Sequence, residues 1–317
     1  MLRLFYVDGE YKCWYYIAWE VRACMQKVSR FNTQCISCIF NKYISAVPDG
    51  TDEKTKLLYA KGNLRIIADA GNEVSAPEIV ARVTALKNRT FGFSDDYKEL
   101  KTHFNKLMLG FFEPFSRCVS VAQDPLLAAV RFAMCGNYID FGAMDSVDEK
   151  ILESIPRDAE KIEIDTNEYE NFAADLKNAK NLVYLTDNCG EIVMDRILLR
   201  EIKRQYPNLD ITVILRGEAV LNDATIYDAE ATGLAEEFNC IGNGTNIAGT
   251  CLDLVPENIL KIINGADIII SKGQGNFETL HGCALNIYYL FLCKCSLFAE
   301  KFKVPKLTGM FLNDKRM

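Results

Sequence analysis

Residues 181–202 read NLVYLTDNCGEIVMDRILLREI, and this stretch decides the fold. NLVYLTD is a short apolar run with β-branched and aromatic residues, which is typical of a buried strand. From residue 190 onward the apolar positions follow helical spacing. Asp187, Asn188 and Glu191 lie in the turn between these two patterns. The stretch therefore predicts a strand, a tight polar turn and a helix, which is the repeating unit of a parallel α/β sheet.

The same alternation continues to the end of the chain. Further strands are predicted at 210–217, 266–273 and 286–294, and helices at 190–205, 224–236 and 256–264. Before residue 160 the patterns are mostly helical; one helix is predicted to end at Pro114. The predicted fold class is α/β, with a helical N-terminal region followed by a Rossmann-like three-layer domain with a mostly parallel sheet. The predicted divisions are an extension of doubtful status at 1–24, the helical region at 25–160 and the α/β domain at 161–317.

Composition excludes several classes of protein. The formal net charge of −7 argues against nucleic acid as a partner. No apolar run reaches the length of a membrane-spanning helix. Twelve cysteines scattered through 317 residues predict reduced thiols in the cytoplasm. The start of the chain fits a signal peptide poorly and holds both tryptophans, so Met25 is an alternative to Met1 as the natural start.

Polar side chains follow each predicted strand. The first strand is followed by Asp187, Asn188 and Glu191. In open α/β sheets, ligands bind at the carboxyl ends of the strands, so these groups are expected to meet. The groups predicted at the other three strand ends are Asn222 and Asp223, then Lys272, Gly273, Gln274, Gly275, Asn276 and Glu278, and finally Lys294.

Two carboxylates and an amide oxygen form an oxygen-only ligand set. Such a set suits Mg²⁺ or Mn²⁺, which keep water and substrate phosphate in their remaining positions. Lys272 would neutralise a phosphate, and the backbone N–H groups of residues 273–276 would cradle it at the start of the next helix. The residues predict metal-assisted hydrolysis of a phosphate ester, or at least binding of a phosphate ligand.

Each element also has a simpler structural interpretation. Asp187 and Asp223 are both placed where helix N-caps occur. The sequence KGQGN matches neither the P-loop pattern nor the dinucleotide-binding fingerprint. Lys294 on an apolar strand needs a partner if it is buried.

Taken together, the segments LTDNCGEIVMD, LRGEAVLNDATIYDA, SKGQGNFETL and YYLFLCKCSLFA resemble the damage-control phosphatase family. This family is also described as domain of unknown function eighty-nine and as acidic-residue-methyltransferase-like. The upstream segments CISC and CGNYIDFG resemble its bacterial and archaeal branch, and the similarity runs from about residue 33 to about residue 312. The resemblance implies a metal-dependent phosphatase that acts on sugar phosphates or on damaged or surplus phosphometabolites.

The resemblance also implies roles for individual residues. Asp187, Asn188 and Asp223 match metal ligands for Mn²⁺, Co²⁺, Ni²⁺ or Mg²⁺. Glu191 and Lys294 match substrate-contacting residues. The matching phosphate-binding loop comprises Lys272, Gly273, Gln274, Gly275 and Asn276. A metal-activated water is the preferred nucleophile, and the carboxylate of Asp187 or Asp223 is the second choice. A carboxyl methyltransferase and a non-catalytic phosphometabolite-binding protein are the alternative functions.

Three further features lie outside this scheme. Cys189 stands where the family usually has alanine, and this departure implies a site sensitive to oxidation or to thiol-binding metals. The pair Cys35 and Cys38 is interpreted as structural or incidental thiols rather than half of a metal site. Asn137 and Asp140 are candidates for shaping the mouth of the site. The sequence does not indicate the oligomeric state.

Overall fold

The computed structural model describes residues 31–71, 73–92, 97–137 and 154–317, and the backbone alone of residues 4–7, 10–13 and 149–153. Near the start of the chain, β1 (Leu4–Val7) and β2 (Glu10–Cys13) pair in antiparallel orientation. The hypothesis of a start at Met25, the two tryptophans and Asp140 all lie outside the described residues.

Three helices form a small bundle after residue 31. They are α1 (Thr33–Ser45), α2 (Glu53–Ala68) and α3 (Ala76–Phe91). The Asp52 carboxylate caps α2 by accepting a hydrogen bond from the Thr55 N–H at 3.0 Å. Apolar residues at helical spacing on the three helices form a separate core, which comprises Ile39, Tyr43, Ile67, Ile79 and Val83.

Four further helices follow, and one corrects the prediction of where a helix ends. They are α4 (Tyr97–Ser120), α5 (Pro125–Gly136), α6 (Glu149–Glu160) and α7 (Thr166–Asn178). α4 continues through Pro114, where the sequence predicted its end. A proline inside a helix costs about 3 kcal/mol. Phe115 and Val119 are buried on the following turns, and burial of each stabilises the helix by about 1.5–3 kcal/mol, which outweighs that cost.

The centre of the molecule is a six-stranded sheet with the order β5-β4-β3-β6-β7-β8. Its strands are β3 (Asn181–Leu185), β4 (Asp210–Leu215), β5 (Asn239–Gly242), β6 (Ile268–Lys272), β7 (Ile287–Leu292) and β8 (Gly309–Asn313). All neighbours are parallel except β7 and β8. The four predicted strands are confirmed, and the two edge strands β5 and β8 were not predicted.

Helices cover both faces of this sheet. They include α8 (Glu191–Gln205), α9 (Ile226–Ala231), α10 (Glu257–Asn264), α11 (Gln274–Leu280) and α12 (Ser296–Phe302). Because side chains alternate along a strand, Tyr184 packs with α4, α5 and α8, while Leu185 packs with α10, α11 and α12 on the other face. The predicted α/β class with a mostly parallel sheet is confirmed.

The order of the strands predicts where a ligand binds. From β3 the chain moves to β4 and β5 on one side, and it then returns to β6, β7 and β8 on the other side. Loops after β3 and β6 therefore diverge to opposite faces and leave a crevice at the carboxyl ends of these strands. The predicted polar groups follow these two strands and their neighbours.

The cores group the helices differently from the predicted domains. Phe104 of α4, Leu126 of α5 and Phe172 of α7 share one core with the sheet, whereas α1 to α3 have their own. The division at residue 160 therefore stays a prediction about sequence pattern. Within the described residues, no helix combines the length and the apolarity that crossing a membrane requires.

Candidate active site

The turn after β3 and the loop after β4 are held together by their backbones. Asn188 and Asp223 form an isolated antiparallel bridge. The N–H of Ala224 donates to the carbonyl of Asp187 at 2.7 Å. These backbone bonds bring the three predicted metal ligands side by side at the crevice.

The loop after β6 reaches the same place through a glycine. Gly273 has a φ of +80°, which disfavours any residue with a side chain. A Cβ at this position would lie 2.1 Å from Oδ2 of Asp187. Only glycine therefore lets the backbone after β6 approach the carboxylate after β3.

Two amides are oriented by neighbouring carboxylates. The Nδ2 of Asn188 donates to Oδ2 of Asp187 at 2.8 Å and to Oε2 of Glu191 at 3.1 Å. Asn137 donates to the same two oxygens at 3.0 and 3.1 Å, and its Oδ1 accepts from the N–H of Leu292. Carboxylates only accept hydrogen bonds, so they fix which side of each amide faces them. The Oδ1 of Asn188 is thus directed away from both acids.

Arg216 is a site residue that the sequence analysis missed. It follows β4, is almost fully buried, and its Nε donates to Oδ2 of Asp223 at 2.6 Å. Its guanidinium also lies 3.7 Å from Oδ1 of Asp187 and donates to the Asn276 side chain at 3.1 Å. The contact of this buried arginine with two predicted strand-tip acids is visible only in the folded structure.

Negative charge is crowded at this site. Burial, together with the charges of Glu191 and Asp223, raises the pKa of Asp187 well above its usual range. Burial also raises the pKa of Asp223, although Arg216 opposes this effect. Burial thus disfavours the charged forms of both acids, and a divalent cation bound between them would stabilise those forms.

Lys272 and Glu191 lie behind the crevice. The Nζ of Lys272 is fully buried and lies 2.6 Å from Oε1 of Glu191 and 2.5 Å from Oδ1 of Asp195. Glu191 is also fully buried. The predicted contacts of Lys272 and Glu191 with substrate stay a prediction, because in this structure both charges are directed at each other.

Gln274 ties the start of α11 to the loop after β7. Its Oε1 accepts from the backbone N–H groups of Lys294 and Cys295 at 3.0 and 3.1 Å. Its Nε2 donates to Oε1 of Glu278 at 2.6 Å. Burial raises the pKa of Glu278 to about 7. Because β7 ends at Leu292, Lys294 lies beyond the strand rather than on it as predicted.

These loops surround a cavity of about 220 Å³. Its lining comprises Lys42, Tyr97, Asp187, Asn188, Leu221, Asn222, Asp223, Ala248, Gln274, Gly275 and Lys294. Lys42 of α1 and Tyr97 of α4 were not predicted, because no strand-tip rule applies to these helices. Two larger cavities, of about 610 and 620 Å³, contain none of the predicted site residues. We therefore place the candidate site in the smaller cavity, where the carboxylates converge.

The donor set fits a hard divalent cation. Asp187 and Asp223 offer carboxylate oxygens, and the outward Oδ1 of Asn188 offers an amide oxygen. Among the residues that the structure describes, no three His, Cys, Asp or Glu side chains form a metal-binding group. Two carboxylates and one amide oxygen would leave positions for water and phosphate, as Mg²⁺ and Mn²⁺ sites commonly do.

The cysteines differ in accessibility. Cys189 is fully buried, and burial raises the pKa of its thiol. The oxidation sensitivity expected at Cys189 is thus corrected, since a buried thiol of raised pKa holds little reactive thiolate. Cys38 and Cys118 are exposed, and burial raises the pKa of Cys35.

The fold and the site define an α/β protein with an acidic, oxygen-rich cavity at the switch point of its sheet. The model of the damage-control phosphatase ARMT1-like domain matches residues 31–308, so the chain belongs to this family. It is 31% identical to a damage-control phosphatase of Pyrococcus horikoshii, covering 89% of this chain and 97% of that protein. It is 30% identical to a damage-control phosphatase of Archaeoglobus fulgidus, covering 85% and 94%.

A solved structure is similar over almost its whole length. The crystal structure of a DUF89 family protein from Pyrococcus horikoshii superposes with a TM-score of 0.76 at 28% identity. The similarity covers 90% of this chain and 99% of that chain. The predicted family is thereby confirmed.

Proposed function

We propose that the protein is a divalent-metal-dependent phosphatase that hydrolyses small phosphate esters. The observation that carries the proposal is the convergence of Asp187, Asn188 and Asp223 on one cavity, with Lys294 in the same lining. The names of the two archaeal relatives support a phosphatase reaction. A cavity of about 220 Å³ suits a small phosphorylated metabolite such as a sugar phosphate.

The proposed cation, Mn²⁺, Co²⁺, Ni²⁺ or Mg²⁺, would be held by Asp187, Asp223 and the Oδ1 of Asn188. When bound, such an ion polarises a phosphoryl oxygen and lowers the pKa of a bound water. A water nucleophile remains our preference over a carboxylate, because Asp223 is already engaged by Arg216 at 2.6 Å.

The chain's own residues would orient the ester. Lys294 is held by its backbone on Gln274, and its ammonium would pair with the phosphate charge. Lys42 and Tyr97 line the cavity from α1 and α4 rather than from the strand ends. They would contact the leaving group of the substrate. Arg216 would keep Asp223 ionised and in place.

Phosphate release tests the proposal. The metal-free protein would be assayed with each of the four cations against p-nitrophenyl phosphate and a panel of sugar phosphates. We expect Asp187→Ala and Asp223→Ala to lower turnover at least about a hundredfold. Asp253→Ala, which alters an exposed acid, is the matched control and should keep full turnover. Normal turnover in both site variants would end the proposal.

The same preparation separates the alternatives. A non-catalytic binding protein would bind sugar phosphates in calorimetry without releasing phosphate. A carboxyl methyltransferase would transfer labelled methyl groups from S-adenosylmethionine. Phosphate release that requires a cation and Asp187 would exclude both as the principal activity.

A further inference from the structure

A chain of hydrogen-bonded, buried polar side chains runs behind the cavity, from β3 to the side-chain amide of Asn188. The hydroxyl of Tyr184 donates to Oδ1 of Asp195 at 2.8 Å. The Nζ of Lys272 donates to the same oxygen at 2.5 Å and to Oε1 of Glu191 at 2.6 Å. All four side chains are fully buried, and none of them lines the cavity. We name these four residues the buried relay.

The buried relay follows from the spacing of α8. Glu191 and Asp195 are four residues apart, so they lie on the same face of the helix one turn from each other. This face packs against β3 and β6, which bring Tyr184 and Lys272 to it. A single ammonium group therefore bridges two carboxylates on consecutive turns.

The relay ends on Asn188. The second oxygen of Glu191 accepts from Nδ2 of Asn188 at 3.1 Å. Because the Nζ of Lys272 donates to one oxygen of Glu191, the other oxygen accepts from Asn188, whose amide then presents its nitrogen to Glu191 and its oxygen to the crevice. Together with Asp187, which accepts from the same nitrogen at 2.8 Å, the buried relay therefore helps to fix the direction of the Asn188 side-chain oxygen.

We propose that Asp195 and Lys272 are positioning residues that orient Asn188 for cation binding. The proposal rests on the proposed function, because it assigns Asn188 as a ligand of that cation. Partners of metal ligands beyond the direct contacts tune affinity by fixing the ligands' orientation.

A gain in stability does not by itself explain why these charged side chains are buried together. Buried ion pairs are often no more stable than apolar residues of the same volume. Moreover, Oδ2 of Asp195 has no hydrogen-bond partner, although it is buried. An arrangement that leaves a buried oxygen unsatisfied is explained better by the orientation it imposes on Lys272 and Glu191.

The test is the affinity of the metal-free protein for Mn²⁺, measured by isothermal titration calorimetry. We expect Asp195→Asn to raise the Mn²⁺ Kd by about 10–100-fold. At saturating Mn²⁺, its kcat for p-nitrophenyl phosphate should recover and its KM should stay unchanged. A variant that merely loosens the fold would not be restored by the cation in this way.

A milder pair of variants keeps the test independent of folding. Tyr184→Phe removes one hydroxyl that donates to Asp195 of the relay. Tyr288→Phe removes an equivalent hydroxyl on β7, which donates to Asp175 at 2.6 Å and faces the same side of the sheet. We expect Tyr184→Phe to weaken Mn²⁺ binding several-fold and Tyr288→Phe to leave it unchanged.

Two results would overturn the proposal. One is a Mn²⁺ Kd within twofold of wild type in both Asp195→Asn and Tyr184→Phe. The other is equal weakening by Tyr184→Phe and Tyr288→Phe, which would indicate a general effect on packing. Failure of the proposed function is a different observation, namely Mn²⁺ binding by the wild-type protein without phosphate release.

Discussion

At the scale of single residues, the site is governed by how its charges are compensated. Burial opposes protonation of Lys272, but the charges of Asp195 and Glu191 raise its pKa overall. Burial raises the pKa of Asp195 to about 6 even with the lysine beside it. Lys272 therefore pairs with two buried carboxylates in the interior of the protein.

Replacement of Lys272 should be costly. Lys272→Met would leave two buried carboxylates without their cation, so we expect the free energy of unfolding to fall by about 3–5 kcal/mol. Urea unfolding followed by circular dichroism measures this loss.

Lys261→Met is the matched control for Lys272→Met. Lys261 pairs with Glu257 on α10, where both side chains are exposed, by 73% and 80%. Exposed pairs contribute about 0–1 kcal/mol, so this variant should unfold close to wild type. Equal effects of the two substitutions would contradict a special role for the buried lysine.

At the scale of elements, the junctions between strands and helices decide where the acids lie. The junction between β6 and α11 depends on Gly273, whose missing side chain makes room for Asp187. The junction between β3 and α8 depends on Gly190, which has a φ of +67°. Short turns at these points bring side chains from separate strands within hydrogen-bond distance.

Gly273→Ala should remove activity as well as stability. Its positive φ alone costs of order 1–3 kcal/mol. Its Cβ would also displace the Asp187 carboxylate, and misplacement of a reacting group by about 1 Å costs about a hundredfold in rate. Phosphate release and thermal unfolding would both be measured.

Gly282→Ala separates the two effects. Gly282 has a φ of +82°, and a Cβ there meets no atom within 4 Å. It should lose comparable stability and keep its turnover. Similar turnover in the two alanine variants would show that the position of Asp187 does not depend on Gly273.

Most of the strands of the sheet were predictable from the sequence. Long apolar runs bounded by turn residues predicted the four central strands, because both faces of these strands are buried. β5 and β8 escaped prediction because they are edge strands; β5 is four residues long and only half-buried. A short, partly polar segment becomes a strand only when a neighbour is present to pair with it.

The degree of burial of each site residue was not predictable from the sequence. Parallel strands end at one edge, so the meeting of Asp187, Asn188, Asp223 and Lys294 followed from strand order. The burial of Lys272 did not, because it depends on how α8 packs against β3 and β6. Contributions from distant helices, such as Lys42, have no local signal at all.

At the scale of the whole molecule, α4 links the helical half of the chain to the site. The Asn105 side chain of α4 accepts from the N–H of Gly190 at 2.7 Å and donates to Asp228 at 2.8 Å. Lys101 of the same helix pairs with Asp228 at 2.7 Å. Because Asp228 also accepts from the N–H of Thr225, this helix holds the turn after β3 and the end of the loop after β4, which carry the predicted metal ligands.

Removal of the Asn105 hydrogen bonds should weaken cation binding. Asn105→Ala removes partners from the N–H of Gly190 and from Asp228, which should cost about 1–3 kcal/mol of stability. Because both loops loosen, we expect the Mn²⁺ Kd to rise by about tenfold in calorimetry.

Asn63→Ala provides the comparison for Asn105→Ala. Asn63 is equally buried, but its amide donates to the carbonyl of Tyr59 within α2, in the separate helical core. This variant should lose stability without any change in the Mn²⁺ Kd. An unchanged Kd in Asn105→Ala as well would refute the link between α4 and the site.

The unequal accessibility of the thiols has a practical consequence. A maleimide dye would attach to Cys38 and Cys118 before it reached Cys189, among the cysteines that the structure describes. Cys38 lies on the small helical bundle and Cys118 on α4, which belongs to the main core. A donor and acceptor dye on these two native positions would report the separation of the two cores by energy transfer.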